Sequence, residues 1–391
     1  MEEPSGWCHL DAVEPAALAR TLWAWRAVHP GCGVLALLPE GAVADVPTVQ
    51  AACAALEVPL LGAVFPRLIR EGGFAPRGAL LVRLDAPPPH GLVDGLREGP
   101  TACAARVHAA LEPHLARGAP AGALFLLCDA TTPRVDGVLE ALHDRLGRAV
   151  TYLGVMAGSE TFRPMPCVFD GRRLVGDALL WLLLPPGTPA VVDHDYDAPP
   201  GAGVATSARG DRVFTVDDRP AYDFYRDRLA EQHRVELTPE NFYRLAVEFP
   251  LGIERPDGQL LVRMPVALEE GGAIRVIGEV PERAVLVTCR APPPRFGEAG
   301  RALARRLRVE GIGGDMLLFY CAGRRLRLGS ESDADLRALL GASGARAAGA
   351  ITLGEIGGAA AGAGPVFHNG ALVAVGWPGG RGTVKKSSPG P

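Results

Sequence analysis

Five residues toward the C-terminal end have the types needed to hold a small polar molecule: Cys321, Arg324, Glu355, His368 and Asn369. Arg324 carries a planar fork that matches a carboxylate. Glu355 can accept an ammonium group, and Asn369 can donate and accept at once. The set suits an amino acid or a similar zwitterion. Each residue stands at the end of an apolar run. Leu317–Cys321 leads into Gly323-Arg324, Gly349–Leu353 into Gly354-Glu355, and His368-Asn369-Gly370 precedes Ala371–Val373. Ligand sites in α/β sheets collect at such strand ends. A plainer reading stays open, in which Glu355 pairs with Arg324, Asn369 closes a tight turn and Cys321 is core.

Other chemistries find less support. The only lysines are Lys385 and Lys386, so the rest of the chain offers no Schiff-base, pyridoxal-phosphate or P-loop lysine. Asp193-His194-Asp195-Tyr196-Asp197 opens like a calcium loop, but Ala198 stands where glycine is required and Val204 where glutamate is. It reads as a linker, and His194 on it stays of interest as a cleft-bordering residue. Glu140 and His143 have di-iron spacing in a single copy, where two are needed. Ser159 has no histidine placed by sequence to activate it. No Cys-x-x-Cys pair occurs among the eight cysteines, and no catalytic residue or metal ligand is assigned.

Composition narrows the class. The formal net charge is −4 with both signs interspersed, which argues against nucleic acid as a partner. The longest apolar run, Ala178–Leu184, is far short of the roughly 20 residues of a membrane helix. The acidic start, Glu2-Glu3, is unlike a signal sequence. These features together predict a cytoplasmic protein with no membrane partner.

The elements that must carry the candidate residues repeat. Leu124–Asp129, Gly154–Glu160 and Val168–Val175 echo Leu317–Cys321, Gly349–Glu355 and Val366–Val373, with Cys128 matched to Cys321. A fainter copy runs through Val34–Leu38, Gly62–Phe65 and Gly78–Val82. The expected fold class is α/β (mixed α+β), two related domains built from strand–helix–strand–strand units on mixed sheets. Helical spacing over Leu10–His29 puts Leu18, Leu22, Trp25 and Val28 on one face and predicts a leading helix within residues 1–30. Prolines at 185, 186, 199 and 200 place a junction near 198. The expected domains are 31–197 and 198–378, with a Gly/Ser/Pro-rich disordered tail at 379–391.

The strand–Cys-Ala-Gly-Arg, Gly–(x)4–Gly-Glu and closing His-Asn order resembles the C-terminal half of FIST-domain proteins. Pro250–Ile253, Leu261–Arg263, Gly278–Pro281 and Val213–Tyr225 are similar to the same half. Residues 34–184 resemble the FIST N half. The resemblance implies a signal-transduction module that senses small ligands such as amino acids. Nothing outside the two halves is long enough for an output domain, so a standalone sensor would act by touching an unknown signalling protein. Some bacterial relatives are associated with haem and nitric-oxide sensing. For that role His368, His194 or His233 would serve as axial ligand, although no haem-attachment motif is present. A ligand-free scaffold is the remaining alternative, and no enzyme activity is expected.

Overall fold

The computed structural model describes residues 5–115, 122–256, 258–291, 298–312, 314–358 and 364–377. The tail expected to be disordered lies outside them. The architecture is mixed α+β, as the sequence predicts, and it is built from three copies of one unit. Each unit runs edge strand, helix, opening strand, helix, second strand, hairpin, closing strand. In unit 1 these are Trp7–Leu10, Pro15–Val28, Gly33–Pro39, Val46–Ala55, Leu60–Phe65, the pair Leu68–Arg70 and Gly73–Ala75, and Ala79–Leu84. In unit 2 they are His90–Asp94, Pro100–Leu111, Gly122–Asp129, Val135–Leu146, Val150–Ala157, the pair Val168–Asp170 and Leu174–Val175, and Ala178–Leu184. Unit 3 has Ala190–Asp193, Glu298–Val309, Met316–Cys321, Ala322–Leu328 followed by Ser332–Ser343, Ala347–Thr352, the pair Glu355–Gly358 and Pro365–His368, and Leu372–Gly376. The faint copy at Val34 is therefore a full unit.

Opening and second strands pair in parallel in each unit. They read as unbroken apolar runs because both of their faces are covered. Proline in the first turn, at Pro15, Pro47 and Pro100, starts three of the covering helices, where a missing N–H costs nothing. Leu18, Leu22 and Trp25 are buried as expected. Val28 is 47% exposed because the helix ends there and its last turn clears the sheet.

The three six-stranded sheets share one strand order: edge, closing, opening, second, then a hairpin taken from another unit. The unit 1 hairpin pairs with the second strand of unit 3. That of unit 2 joins unit 1, and that of unit 3 joins unit 2. The exchange closes a ring. Phe65, Phe125 and Phe319, one per unit, meet in the shared core, with Phe319 5.7 Å from Phe65 and 5.8 Å from Phe125 between ring centroids.

The register corrects the sequence matches. Gly154 faces Leu126, and Gly349 faces Leu318. Counting from these glycines, Cys321 corresponds to Asp129, and Tyr320 corresponds to Cys128. Cys128 and Tyr320 both pack under helices, whereas one residue further along lies the opposite face. Gly154 and Gly349 match, but the glutamates do not: Glu355 opens the buried hairpin strand, where unit 2 has Val168, and Glu160 lies in an exposed turn before its hairpin.

Between the edge strand of unit 3 and its first helix lies an insert. Its strands build a separate sheet in the order Leu260–Arg263, Leu251–Glu254, Val285–Thr288, Gly203–Arg209, Arg212–Val216, Ile274–Val276, Pro265–Leu268. Two helices, Ala221–Arg228 and Phe242–Glu248, pack on that sheet through Phe224, Tyr225, Phe242 and Leu245.

Candidate functional site

A cleft of about 790 Å3 lies at the carboxyl ends of the parallel strands of unit 2, roofed by the insert. Its floor is the loop 130–134 after the opening strand together with Met156 and Phe367. The roof comes from the turn 210–212 and from residues 275–279 of the insert. Phe162 and Tyr243, 41% and 50% exposed, stand at the rim.

Asp129 shapes the floor. Its Oδ1 accepts from Thr131 N and from Thr131 Oγ1, each at 2.8 Å, and its Oδ2 accepts from Asp177 N at 2.7 Å. An aspartate that bonds its own backbone two residues on sets a turn. This turn brings Thr132 to the cleft wall. Thr132 is only 8% exposed, lines the cleft, and its hydroxyl has no partner among the described residues. A buried hydroxyl left without a bond costs about 1–3 kcal/mol unless something fills the place.

The loop ends with Arg134 in a left-handed conformation (φ 57°), and the helix Val135–Leu146 begins with its N-terminus toward the cleft. Unsatisfied N–H groups at such an end favour an anion. Gly137 N donates to Glu279 Oε2 at 3.0 Å. Burial pushes the Glu279 carboxyl above its usual range, against the bond from Gly137. Arg97 Nη2 donates to Thr131 O at 3.1 Å and so sits on the same wall. Glu160 and Asp211 also line the cleft; Glu160 pairs with Arg325 at 3.3 Å and Asp211 with Arg212 at 2.9 Å. The lining thus mixes arginines (Arg97, Arg134, Arg212, Arg275) with carboxylates (Glu160, Asp211, Glu279) and aromatic rings.

The five residues singled out by sequence come together at the corresponding edge of unit 3, but they line neither described cavity. Arg324 is buried. It donates from Nη1 to Asp195 at 2.5 Å and from Nε and Nη2 to Asp335 at 3.0 and 3.1 Å. Two of the chain's own carboxylates fill the fork that a ligand would use, and neither is Glu355. Glu355 is 0% exposed. Its Oε2 accepts from Ala371 N at 3.0 Å, and Oε1 has no partner among the described residues. Burial holds its carboxyl well above the carboxylate range, only partly offset by the Ala371 amide and the Cys321 thiol. Burial likewise raises the Cys321 thiol, which leaves it a poor nucleophile. His368 is pushed down to about 3 by burial, with His194, Arg263 and Arg255 adding to the effect. Asn369 accepts from Met264 N at 3.0 Å and so ties unit 3 to the insert.

Residues 40–219 match the FIST N domain, and residues 221–358 match the FIST C domain. The chain belongs to the FIST-domain family. No curated protein sequence matches it. The boundary between the two FIST matches falls inside the insert, at the short strand Arg219–Pro220. FIST domains are associated with small-ligand sensing in signal transduction. No helix among the described residues is long and apolar enough to cross a membrane. No group of three or more His, Cys, Asp or Glu among them is placed to hold a metal.

The haem alternative fits poorly. His194 Nε2 bonds with Leu260 O at 2.9 Å, His233 stacks 4.6 Å from Phe249, and His368 is buried. None of the three lines either described cavity, so no open volume there meets an axial ligand. Sequence reasoning missed Thr132 and Glu279. The available signal was Asp129-Ala130-Thr131-Thr132 standing between an apolar strand and a helix in the second copy.

Proposed function

We propose that this FIST protein is a cytoplasmic sensor that binds an amino-acid-like zwitterion in the unit 2 cleft and signals through a changed contact with a protein partner. The observation that carries the reading is Thr132, a buried residue on the wall of a 790 Å3 cleft, whose hydroxyl has no partner among the described residues and whose neighbours in the lining include both arginines and carboxylates. The ligand carboxylate faces the helix N-terminus and Arg97. Its ammonium faces Glu160 and Asp211, and its side chain lies against Met156, Phe162 and Tyr243. The free, mostly buried cysteines suit a reducing compartment. Arg324, Glu355, His368, Cys321 and Asn369 then act by holding unit 3 and the insert in place rather than by touching the ligand.

A thermal-unfolding screen against the twenty amino acids, followed by calorimetry, tests this. A ligand at 100 times its Kd stabilises by about 2.7 kcal/mol, which reads as a shift of several degrees. Thr132→Val is expected to weaken binding about tenfold, in line with a lost hydrogen bond to a charged group. A flat response to every amino acid and small carboxylate rejects the reading.

A further inference from the structure

We infer that Glu279 is an internal stand-in for the ligand's carboxylate: it occupies the N-terminal amide of the helix Val135–Leu146, and a carboxylate entering the cleft displaces it. The inference rests on the cleft being the ligand site.

Three observations carry it. Glu279 comes from the insert, yet its Oε2 takes the Gly137 amide of unit 2 at 3.0 Å. That amide belongs to the first turn of a twelve-residue helix, where a carboxylate is the natural occupant. Thr132, nine-tenths buried on the same wall, has a hydroxyl with no partner among the described residues, so the wall holds one more donor than Glu279 satisfies.

The third observation is room to leave. Glu279 lines the cleft and also a second cavity of about 820 Å3 on its other side. Only its side chain must move. Its backbone N donates to Asp136 Oδ2 at 2.8 Å, and its backbone O accepts from Arg263 Nε at 2.8 Å. Arg263 in turn donates to Asp136 Oδ1 at 3.0 Å and to Phe367 O at 2.9 Å. The hinge is thus pinned while the carboxylate turns from one chamber to the other. Burial above all, and the nearby Asp136 carboxylate, disfavour the charge of Glu279 where it now sits, while the Gly137 amide and Arg134, 3.8 Å from Oε1, favour it. Its bond to Gly137 is one of three ties between this part of the insert and the helix, beside the Asp136 bonds to Glu279 N and Arg263, so a ligand that breaks it loosens the insert there. Binding is then linked to insert position through unequal affinity for the two arrangements.

Calorimetry on the full chain with sodium acetate, and with acetamide as the neutral control, tests the stand-in. Glu279→Ala is expected to bind acetate about tenfold tighter than the unsubstituted protein, since a charged hydrogen-bonding competitor is gone. Glu279→Gln should fall between the two and carries the comparison if the alanine variant does not fold. Adding Thr132→Val to Glu279→Ala should remove the gain, and acetamide affinity should stay the same throughout. Equal acetate affinity in all three proteins overturns the inference. If an amino acid binds the unsubstituted protein while Glu279→Ala leaves acetate unchanged, the stand-in fails and the cleft reading survives. If acetate tightens while no amino acid binds, the stand-in holds and the zwitterion reading fails.

Discussion

Glu355 and His368 face each other as direct cross-strand neighbours in the unit 3 hairpin, and burial moves their proton affinities in opposite directions. His368 stays neutral down to about 3, while an unfolded histidine protonates below about 6.5. The unfolded state therefore binds the extra proton between these values, and His368 lowers stability as pH falls through that window. Glu355 does the reverse. It keeps its proton in the fold, whereas the unfolded carboxyl loses it above about 4.3, so stability falls as pH rises from there. Between about 4.3 and 6.5 the two slopes oppose each other, and above 6.5 only the Glu355 slope remains, so stability falls with rising pH for as long as burial keeps Glu355 protonated in the fold. The loss is read by comparing about pH 6.5 with about pH 8. Glu355→Gln, a neutral isostere of the protonated acid, should abolish this alkaline loss in urea unfolding measured at the two pH values. An unchanged slope in the variant would mean that Glu355 ionises in the fold. Arg324 shows why such residues mislead a search for ligand contacts. Its charge and fork are those of a binding residue, but Asp195 and Asp335 consume both.

The element that decides the architecture is the second strand of each unit, because it must accept a hairpin from elsewhere. Gly62 lies opposite Phe169, Gly154 opposite Ile356 and Gly349 opposite Ile69. A small residue thus meets a large apolar one at the same register in all three sheets. At Gly154 an added Cβ would come 2.5 Å from Leu126 O and 3.2 Å from Ile356 Cδ1. Gly154→Val should therefore push the unit 3 hairpin off unit 2 and cost about 1–3 kcal/mol, the usual price of overpacking. Hydrogen exchange would locate the damage: faster exchange confined to residues 355–368 and 150–157 supports the exchange of hairpins as drawn, whereas uniform loss does not. Much of this was legible in the sequence. The apolar runs Val34–Leu38, Leu124–Leu127 and Leu317–Tyr320 are strands because both faces are buried, and Gly154 and Gly349 line up correctly. The match of Cys128 to Cys321 was one residue off, since a continuous apolar run carries no alternation to pin its face. The partner of each hairpin was hidden as well, because periodicity says that a segment is a strand and not what it pairs with. The same limit concealed the site: the unit 2 cleft exists only because the insert folds over it, a long-range contact that no local pattern announces.

At the scale of the molecule, the two FIST matches share their sheets. The sheet of unit 2 ends in strands from residues 355–368, and the sheet of unit 3 ends in strands from residues 68–75. The common core joins Phe65 and Phe125 to Phe319, and Trp377 donates from its indole to Arg83 O at 3.3 Å. A chain cut between the halves would leave each fragment with an open sheet edge and with half of a core exposed. Residues 1–197 and 198–391 expressed apart should be insoluble or lack a cooperative thermal transition. Co-expressed, they should recover a single complex with one transition, because every missing strand and core face is then supplied in trans. Far- and near-ultraviolet circular dichroism of the fragments, alone and mixed, reads the outcome directly. A soluble N-terminal fragment with native near-ultraviolet signal and its own cooperative melt would show that the exchanged hairpin from unit 3 is dispensable. The ring of exchanged strands would then be an ornament on two independent domains rather than what binds them. If the fragments fold only together, a movement of the insert at the unit 2 cleft reaches unit 3 through Arg263, Phe367 and Asn369, whose hairpin is itself part of the unit 2 sheet, and through the Arg324–Asp195 pair.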